Sequence, residues 1–292
     1  MKFFGIVATL CAVPAAAFVV EGPKARSTAL YSSSFPPPPP AGAAPGASET
    51  TNKIASTSGA GLTANHGDML RTNTAFDTEG EELIQGESLR TWPIDYGTEK
   101  VHLQMTTDGR PLTANLELWH GPDYTPSRMK VYIEDGKVRP FNAVVATPMS
   151  NNNIAVYNTG NLEFPFKASV RSDLESGLAA NGPGDLISNA KPRLVQGGSI
   201  TSFPFDPRVE SVQVLLKTDG RNLKVRVELM QGPNNDKQVL EFYSSDGKKR
   251  PFFVVIETPG TGNVVRIINE NTVEFPFQAY VEPYVVGPPP RE

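Results

Sequence analysis

The residue types that most often carry catalysis or bind metals are sparse in this chain. Its three histidines, His66, His102 and His120, do not stand at metal-ligand spacing from one another or from paired carboxylates. The single cysteine is Cys11, close to the N-terminus. The sequence also lacks the Gly-x-Ser-x-Gly turn of hydrolases and a glycine-rich phosphate loop. These absences argue against nucleophilic, metal-dependent and nucleotide chemistry.

One carboxylate pair remains as a catalytic candidate. Asp108 and Glu117 could act as the acid and the base of glycoside hydrolysis if the fold brought them to a suitable separation. Asp108, however, precedes Gly109 in a turn sequence, where aspartate is favoured for backbone reasons. We therefore expect no catalytic residue, no cofactor and no metal, and a protein that is not an enzyme.

The chain contains one segment twice. Residues 86–170 align with residues 197–281 at a constant offset of 111 positions, and 33 of the 85 aligned residues are identical. Turn and Pro-Phe sequences recur at matching places: Asp108-Gly109-Arg110 with Asp219-Gly220-Arg221, and Glu163-Phe164-Pro165-Phe166 with Glu274-Phe275-Pro276-Phe277. A match at a fixed period is the signature of a duplicated structural unit. We expect two homologous domains, 86–170 and 197–281.

Within each copy the apolar residues follow the period of a β-strand. Val101, Leu103 and Met105 alternate with polar residues, an Asp-Gly hairpin signal follows, and the alternation resumes from Leu112 to Leu118. Phe141–Val145 is an apolar run short enough for a central strand buried on both faces. Such short strands, separated by turn signals, predict an all-β fold of two tandem β-sandwich domains that are jelly-roll-like.

The N-terminus has the features of a targeting leader. Residues 1–17 combine a short charged start, an apolar stretch and a small-residue cleavage site ending at Ala17, which predicts a signal peptide. Phe18 follows the cut, and residues 18–34 are rich in serine with two basic residues. This arrangement resembles the bipartite leader of proteins imported into the complex plastids of diatoms. A mature chain without cysteine also favours the plastid stroma over secretion, which is the alternative.

Three further segments lie outside the predicted domains. Residues 35–85 open with a run of five prolines and continue in small polar residues, so we expect a disordered, flexible arm. Residues 171–196 contain several Gly and Pro residues and are predicted to form a loop-like linker. We expect the tail, 282–292, to complete no strand of the second domain. Its apolar Tyr284, Val285 and Val286 would dock on a neighbouring protomer or fold back on their own domain.

Several surface residues are candidates for contacts between protomers. Four arginines recur beside turns and could bind carboxylates of a neighbour or pin their own turns: Arg110, Arg139, Arg221 and Arg250. Asp123 and Tyr124 lie in a loop whose counterpart in the second copy keeps only Gly-Pro. A loop that diverges between copies is a place where surface function can separate.

Other partners are disfavoured. The 27 basic residues are outnumbered by 31 acidic ones and form no stripe interleaved with aromatic residues, so we expect no nucleic-acid partner. The N-terminal apolar run is too short for a permanent transmembrane helix, so we expect none in the mature chain. Trp92 and Trp119 face Phe203 and Met230 in the alignment, which favours core packing over a sugar-stacking platform.

Longer motifs carry a resemblance to a known family. The leader, the tandem copies and four sequences resemble the diatom pyrenoid shell proteins. The four sequences are Gly109-Arg110-Pro111-Leu112, Glu117-Leu118-Trp119-His120-Gly121-Pro122-Asp123-Tyr124-Thr125-Pro126, Asp135-Gly136-Lys137-Val138-Arg139-Pro140-Phe141 and Asn158-Thr159-Gly160-Asn161-Leu162-Glu163-Phe164-Pro165. The resemblance covers residues 86–281, and the second copy lacks the Trp and the Tyr-Thr-Pro loop.

The resemblance implies a structural role. It implies a self-assembling protein that forms a sheet around the Rubisco condensate at the pyrenoid periphery, in the plastid stroma, and supports CO2 fixation. Its partner would be the chain itself, with Rubisco or a Rubisco linker on one face. A non-catalytic binding module, for carbohydrate or Rubisco, is the alternative, and it would stay a monomer or dimer.

Overall fold

The computed structural model describes residues 80–149, 151–172 and 178–288, which form an almost entirely β structure within one compact unit of the chain. The first repeat has the strands β1 (Glu82–Ile84), β2 (Leu89–Pro93), β3 (Lys100–Thr106), β4 (Leu112–His120), β5 (Tyr124–Ile133), β6 (Phe141–Ala146), β7 (Asn152–Asn158) and β8 (Phe166–Arg171). The helix α1 (Leu178–Asn189) follows. The second repeat has the strands β9 (Arg193–Val195), β10 (Ile200–Pro204), β11 (Val209–Lys217), β12 (Leu223–Gln231), β13 (Asp236–Ser244), β14 (Phe252–Glu257), β15 (Asn263–Asn269) and β16 (Phe277–Val286).

The sixteen strands form two eight-stranded antiparallel sheets. Sheet A has the order β1-β8-β3-β6-β14-β11-β16-β9, and sheet B has the order β10-β15-β12-β13-β5-β4-β7-β2. The first repeat therefore places its strands 1, 8, 3 and 6 in one sheet and 2, 7, 4 and 5 in the other, and the second repeat does the same. This is the strand order of a jelly roll with two Greek keys. The predicted all-β, jelly-roll-like fold is confirmed.

The two repeats meet along a seam, where β6 pairs with β14 in sheet A and β5 pairs with β13 in sheet B. Ala143 lies opposite Val254, and Lys130 lies opposite Glu241. In both pairs the two residues are equivalent at the offset of 111. Antiparallel pairing of equivalent residues is what a twofold axis produces. The repeats are thus related by a local pseudo-twofold axis through the seam.

Both repeats contribute to one hydrophobic core. Inward-facing residues of the two sheets form a single buried cluster that continues across the seam, from Val101 and Phe141 in the first repeat to Val254 and Phe277 in the second. Because the sheets and the core are shared, the boundaries of two separate domains stay a prediction. Trp92 packs against this core as expected.

A second, smaller cluster lies on the outer face of sheet A, beneath α1. Leu186 of α1 is 2% exposed and packs with a group of residues from both sides of the seam: Val144, Leu215, Phe253, Val255 and Tyr280. A Cβ at Gly182 would lie 2.8 Å from the Phe253 ring, so a glycine allows the helix to approach the sheet this closely. The prediction of a loop-like linker is therefore wrong for residues 178–189, because packing on the sheet orders a helix there.

The C-terminal strand corrects a second expectation. β16 runs to Val286, and its last residues pair with β11, where Val285 lies opposite Ser211. Val285 is 6% exposed, Tyr284 packs on the outer cluster of sheet A, and Val286 remains 54% exposed. The prediction that residues after Val281 complete no strand is thus wrong. The tail folds back on its own repeat, which was the alternative.

The start of the first repeat also forms a strand where the sequence analysis predicts none. Glu82–Ile84 forms β1 and pairs with β8, although these residues were expected to belong to the flexible arm. The equivalent β9 also lies upstream of its predicted domain.

Within the described residues, no helix is long and apolar enough to cross a membrane.

The tail gives a first testable prediction. Deleting residues 282–292 removes half of β16 and exposes the sheet surface that Val285 covers, which we expect to cost about 2–4 kcal/mol. The midpoint of thermal unfolding, measured by circular dichroism at low protein concentration, should then fall by roughly 5–10 °C. A control chain that lacks only residues 289–292 should melt like the full chain. An unchanged midpoint in the longer deletion would contradict the observed role of β16.

A second prediction concerns Glu257, at the end of β14. Burial raises the pKa of its carboxyl to about 7, and the negative charge of Glu210 adds to the shift. In the unfolded chain this group titrates near 4.5, so the native state holds the proton between pH 4.5 and about 7. The free energy of unfolding should therefore fall as pH rises through this window.

Replacing the carboxyl with an amide removes that loss. We expect Glu257→Gln to be more stable than the parent chain at pH 8 by about 1–3 kcal/mol and little different at pH 4.5. Urea unfolding at several pH values measures this difference. The exposed Glu163→Gln serves as the surface control and should leave the free energy of unfolding at pH 8 unchanged. Parallel curves for the parent chain and Glu257→Gln would refute the assignment.

Candidate interaction surfaces

The outer face of sheet B carries a network of ion pairs that crosses the seam. Glu228 of β12 is 2% exposed and accepts hydrogen bonds from Arg226, at 2.6 Å, and from Arg266 of β15. Arg226 also binds Glu241 of β13 at 3.1 Å, and Lys130 of β5 lies 3.4 Å from the same carboxylate. Ion pairs of this kind are weak evidence for stability, because desolvation offsets much of their attraction. They tie four strands of the face together.

The Lys130–Glu241 pair lies on the pseudo-twofold axis and makes the two repeats chemically unequal. If both repeats carried lysine, or both glutamate, like charges would meet at this position. The opposite charges favour contact between unlike repeats over contact between like ones.

A groove of about 540 Å³ runs along the same face at the seam. Its walls carry both signs of charge: Arg128, Lys130 and Lys224, together with Glu117, Glu241 and Glu270. Because basic and acidic side chains are equally represented, the walls of the groove do not indicate a class of ligand. Among the described residues no group of three or more His, Cys, Asp or Glu side chains could hold a metal ion.

The carboxylate pair considered for catalysis has different partners in the two repeats. Glu117 accepts a 2.8 Å hydrogen bond from the indole nitrogen of Trp119, whereas its equivalent Glu228 binds two arginines. Asp108 lies in the turn that follows β3. Trp119 is therefore on the outer face of sheet B and not in the core, because it alternates with the buried Leu118 along β4.

Two of the four recurring arginines hold loops of their own repeat. The guanidinium of Arg110 donates to the Glu163 carbonyl at 2.6 Å and lies 5.7 Å from the Phe164 ring centroid. Arg221 repeats both contacts, with Glu274 at 2.6 Å and Phe275 at 5.7 Å. These contacts match the turn-pinning interpretation, and a further contact with a neighbouring protomer stays a prediction.

The other two arginines lie inside the protein. Arg139 is 6% exposed and donates to the side chain of Gln231, across the seam, at 3.1 Å. Burial lowers the pKa of its guanidinium, against the opposing effect of Glu134 and Asp135. Arg250 is 4% exposed. Neither side chain is presented on the surface of the described structure, because packing at the seam encloses both.

The loop that diverges between the copies reaches across the seam. Tyr124 is 48% exposed, and its hydroxyl lies 2.8 Å from the Ser245 hydroxyl of the second repeat. Its ring packs edge-on against His120, with 6.4 Å between the ring centroids. The neighbouring Asp123 is exposed. Both residues stay candidates for protomer contacts. The targeting residues Ala17 and Phe18, like His66, lie outside the described residues.

The partly buried His102, on the outer face of sheet A, is a polar group that serves no predicted site. Burial lowers its pKa to about 4, and Arg171 adds to the effect, so the imidazole is neutral at physiological pH. Gln104 beside it donates to Asn142 at 2.9 Å.

Sequence reasoning missed the two ends of the molecule. We define the first end as β1, β2 and residues 159–165, and the second end as β9, β10 and residues 270–276. In each end a buried asparagine joins the edge strand to the loop. Asn158 donates to the carbonyls of Ile84 and Phe164 at 3.1 and 2.9 Å, and Asn269 donates to the equivalent carbonyls at 3.2 and 2.9 Å. The sequence signal for these ends is that the same residue type, asparagine, occurs at the equivalent position of both copies.

Comparison with known proteins identifies the family. A search among curated proteins finds no match. Two solved structures are similar at 11% sequence identity. The PBSX exported protein XepA has a TM-score of 0.22, with 69% of this chain and 84% of that one covered. Procruciferin, the 11S globulin of Brassica napus, has a TM-score of 0.20, with 70% and 77% covered. Neither similarity supports an inference about this chain at such scores.

The family model gives a clear result. The model described as "Diatom pyrenoid shell protein" matches residues 76–283, from just before β1 to within β16, so that both repeats and the seam are included. It confirms the resemblance drawn from the motifs. The chain therefore belongs to the diatom pyrenoid shell protein family.

Proposed function

We propose that this protein is a structural, non-catalytic subunit that assembles with copies of itself into the sheet-like shell around the Rubisco-containing pyrenoid of a secondary plastid, and so supports CO2 fixation. The observation that carries the proposal is the family match, because it spans 76–283 and covers both repeats. A shell subunit needs no catalytic centre, and membership of a shell-protein family supports such a structural role.

Self-assembly is supported by the open edges of both sheets. Among the described residues, sheet A ends in β1 and β9, and sheet B ends in β2 and β10, each with a neighbour on one side only. Edge strands carry backbone groups that pair readily with another chain. A subunit with two such edges at each end has the means to extend in both directions.

The two faces of the subunit differ, which suits a layer that separates two environments. The outer face of sheet A carries α1, whereas that of sheet B carries the ion-pair network and the Tyr124 loop. Subunits in one orientation would present different chemistry on the two sides of a shell. Rubisco or a Rubisco linker is our proposed partner on one face, and the predicted leader would bring the chain to the plastid stroma.

A second candidate function is a non-catalytic binding module for carbohydrate or Rubisco. The exposed Tyr124 favours it, because the second repeat has Asn235 at the equivalent place. Such a module would remain monomeric or dimeric in solution.

Assembly separates the two candidates. We expect the chain from Ser34 onward, at micromolar concentration, to leave the monomer peak in sizing chromatography and to form sheets or tubes in negative-stain electron microscopy, because its contacts do not close. The chain should form the same assemblies when the salt concentration and the pH of the buffer are varied. A sharp monomer peak under all of these conditions would favour the binding module and reject the shell.

Targeting is tested with a fluorescent fusion in a diatom. The native leader should direct the fusion to the plastid, and Phe18→Ala should divert it, because the aromatic residue directly follows the predicted signal cleavage site. Replacing the nearby Val20 with Ala is the matched control and should not change the location. Secretion of the native fusion would overturn the proposed location, and plastid import of Phe18→Ala would remove Phe18 from the account.

A further inference from the structure

In the part of the chain that the structure describes, the two ends are open in both sheets, and the turns and loops of each end pack closely together. A Cβ at Gly86 would lie 1.9 Å from the Asn161 carbonyl oxygen, and a Cβ at Gly197 would lie 1.7 Å from that of Thr272. The turn between the two edge strands therefore sits directly on the closing loop in each end. Asn158 and Asn269 hold the same loops from the inside. Rigid surfaces lose little conformational freedom when they bind.

Each end exposes three large apolar side chains at equivalent positions. In the first end Leu83, Leu89 and Leu162 are 58%, 51% and 67% exposed. In the second end Leu194, Ile200 and Val273 are 58%, 61% and 72% exposed. All three positions stay apolar in both copies, although most aligned residues differ. Exposed apolar groups beside an unpaired strand edge mark a surface that another molecule covers.

The edge strands of the two ends differ in charge, although both closing loops carry carboxylates: Glu163 in the first end, and Glu270 and Glu274 in the second. Residues 81–90 include three carboxylates, Glu81, Glu82 and Glu87, and one guanidinium, Arg90. The equivalent residues 192–201 have Arg193 as their one charged side chain. Arg193 lies 4.9 Å from the Phe203 ring centroid and has no carboxylate partner among the described residues. Glu82 forms an ion pair with Arg90 of its own end. Joining two first ends would place two Glu82 carboxylates near each other, whereas joining a first end to a second end brings Glu82 and Arg193 to the same contact.

We propose that the first end of one chain binds the second end of another copy, so that β1 extends sheet A beside β9 and β2 extends sheet B beside β10. The occupant is a second copy because the two ends have equivalent edge strands, exposed apolar side chains at three equivalent positions, and Glu82 and Arg193 at one equivalent position. This inference rests on the proposed self-assembly and specifies its contact. The seam already joins the same two sheets by antiparallel pairing of equivalent strands.

The contact repeats without closing. The seam supplies one pseudo-twofold axis, and antiparallel pairing of the equivalent β1 and β9 would supply another. Two parallel twofold axes combine to give a translation, so chains joined in this way form a straight row. A tilt between the axes, as strand twist favours, converts the row into a gentle helix. A head-to-tail contact therefore yields an open row, which is the element from which a sheet is built.

Complementary variants test the contact. The first end is blocked by Leu83→Asp with Leu89→Asp, and the second end by Leu194→Asp with Ile200→Asp. Each blocked chain, from Ser34 onward, should stay monomeric at concentrations where the parent chain elongates. A mixture of the two should form one-to-one dimers that grow no further in analytical ultracentrifugation, because each chain keeps one intact end. Val138→Asp with Met149→Asp, exposed residues outside both ends, is the control and should elongate like the parent chain.

Charge exchange tests the direction of the contact independently. Arg193→Glu should raise the concentration needed for elongation by at least about tenfold. Adding Glu82→Arg to the same chain should restore elongation. Thermal unfolding of each variant confirms that it is folded. Dimers formed by either blocked chain alone would overturn the head-to-tail contact.

The remaining outcomes separate this inference from the proposed function. If the parent chain and both blocked chains elongate equally, the shell proposal stands and the end contact is rejected. If the parent chain itself stays monomeric, self-assembly fails and the end contact is rejected with it.

Discussion

The structure depends on the backbone pairing at the seam, where β6 meets β14 and β5 meets β13. A jelly roll of one repeat alone would expose these central strands as edges, and Phe141–Ala146 is buried over most of its length. Pairing with the equivalent strand of the other repeat satisfies the backbone groups and extends the core across the axis. The seam also determines which edges remain. With β6, β14, β5 and β13 paired internally, the outer strands are left open at the two ends.

Unequal charge at equivalent positions gives this arrangement its direction. Lys130 and Glu241 face each other on the axis, so the first repeat prefers the second as its neighbour. The same logic applies at the ends, where Glu82 and Arg193 are equivalent. Duplication supplied two copies of one surface, and divergence at charged positions such as these made the copies unequal. A chain built in this way has a head and a tail, which a symmetric dimer of one repeat would lack.

The sequence was sufficient for the elements whose signals are local. Period-two alternation and the Asp-Gly turn located β3 and β4, and the apolar run at Phe141 located the buried β6. The internal repeat then carried the prediction to the second half. Joining the sheets across the seam has no local signal, because any strand edge can pair with another. The resemblance to the shell family rested on longer motifs, and the family match confirms it.

The errors have physical causes of the same kind. β1 and β9 are three residues long, too short for a periodic pattern, and they form because buried asparagines hold their carbonyls. The helix α1 includes Pro183 between two glycines, and its packing on Phe253 overrides this poor local propensity. β16 continues past Pro283 because a bulge opposite Ser211 accommodates a residue that cannot donate. The sequence analysis predicts surface contacts for Arg139 and Arg250. Both are instead buried, because the two repeats enclose them together at the seam.

The central claim is that the two repeats act as one body and that its open ends join copies into a shell. An electron cryo-microscopy reconstruction of the assembled chain, at a resolution that separates strands, tests it most directly. The account predicts that the seam persists within each chain, and that both sheets continue from β1 and β2 of one chain into β9 and β10 of the next. A lattice in which the ends face solvent and the chains touch through the outer faces of the sheets would contradict it.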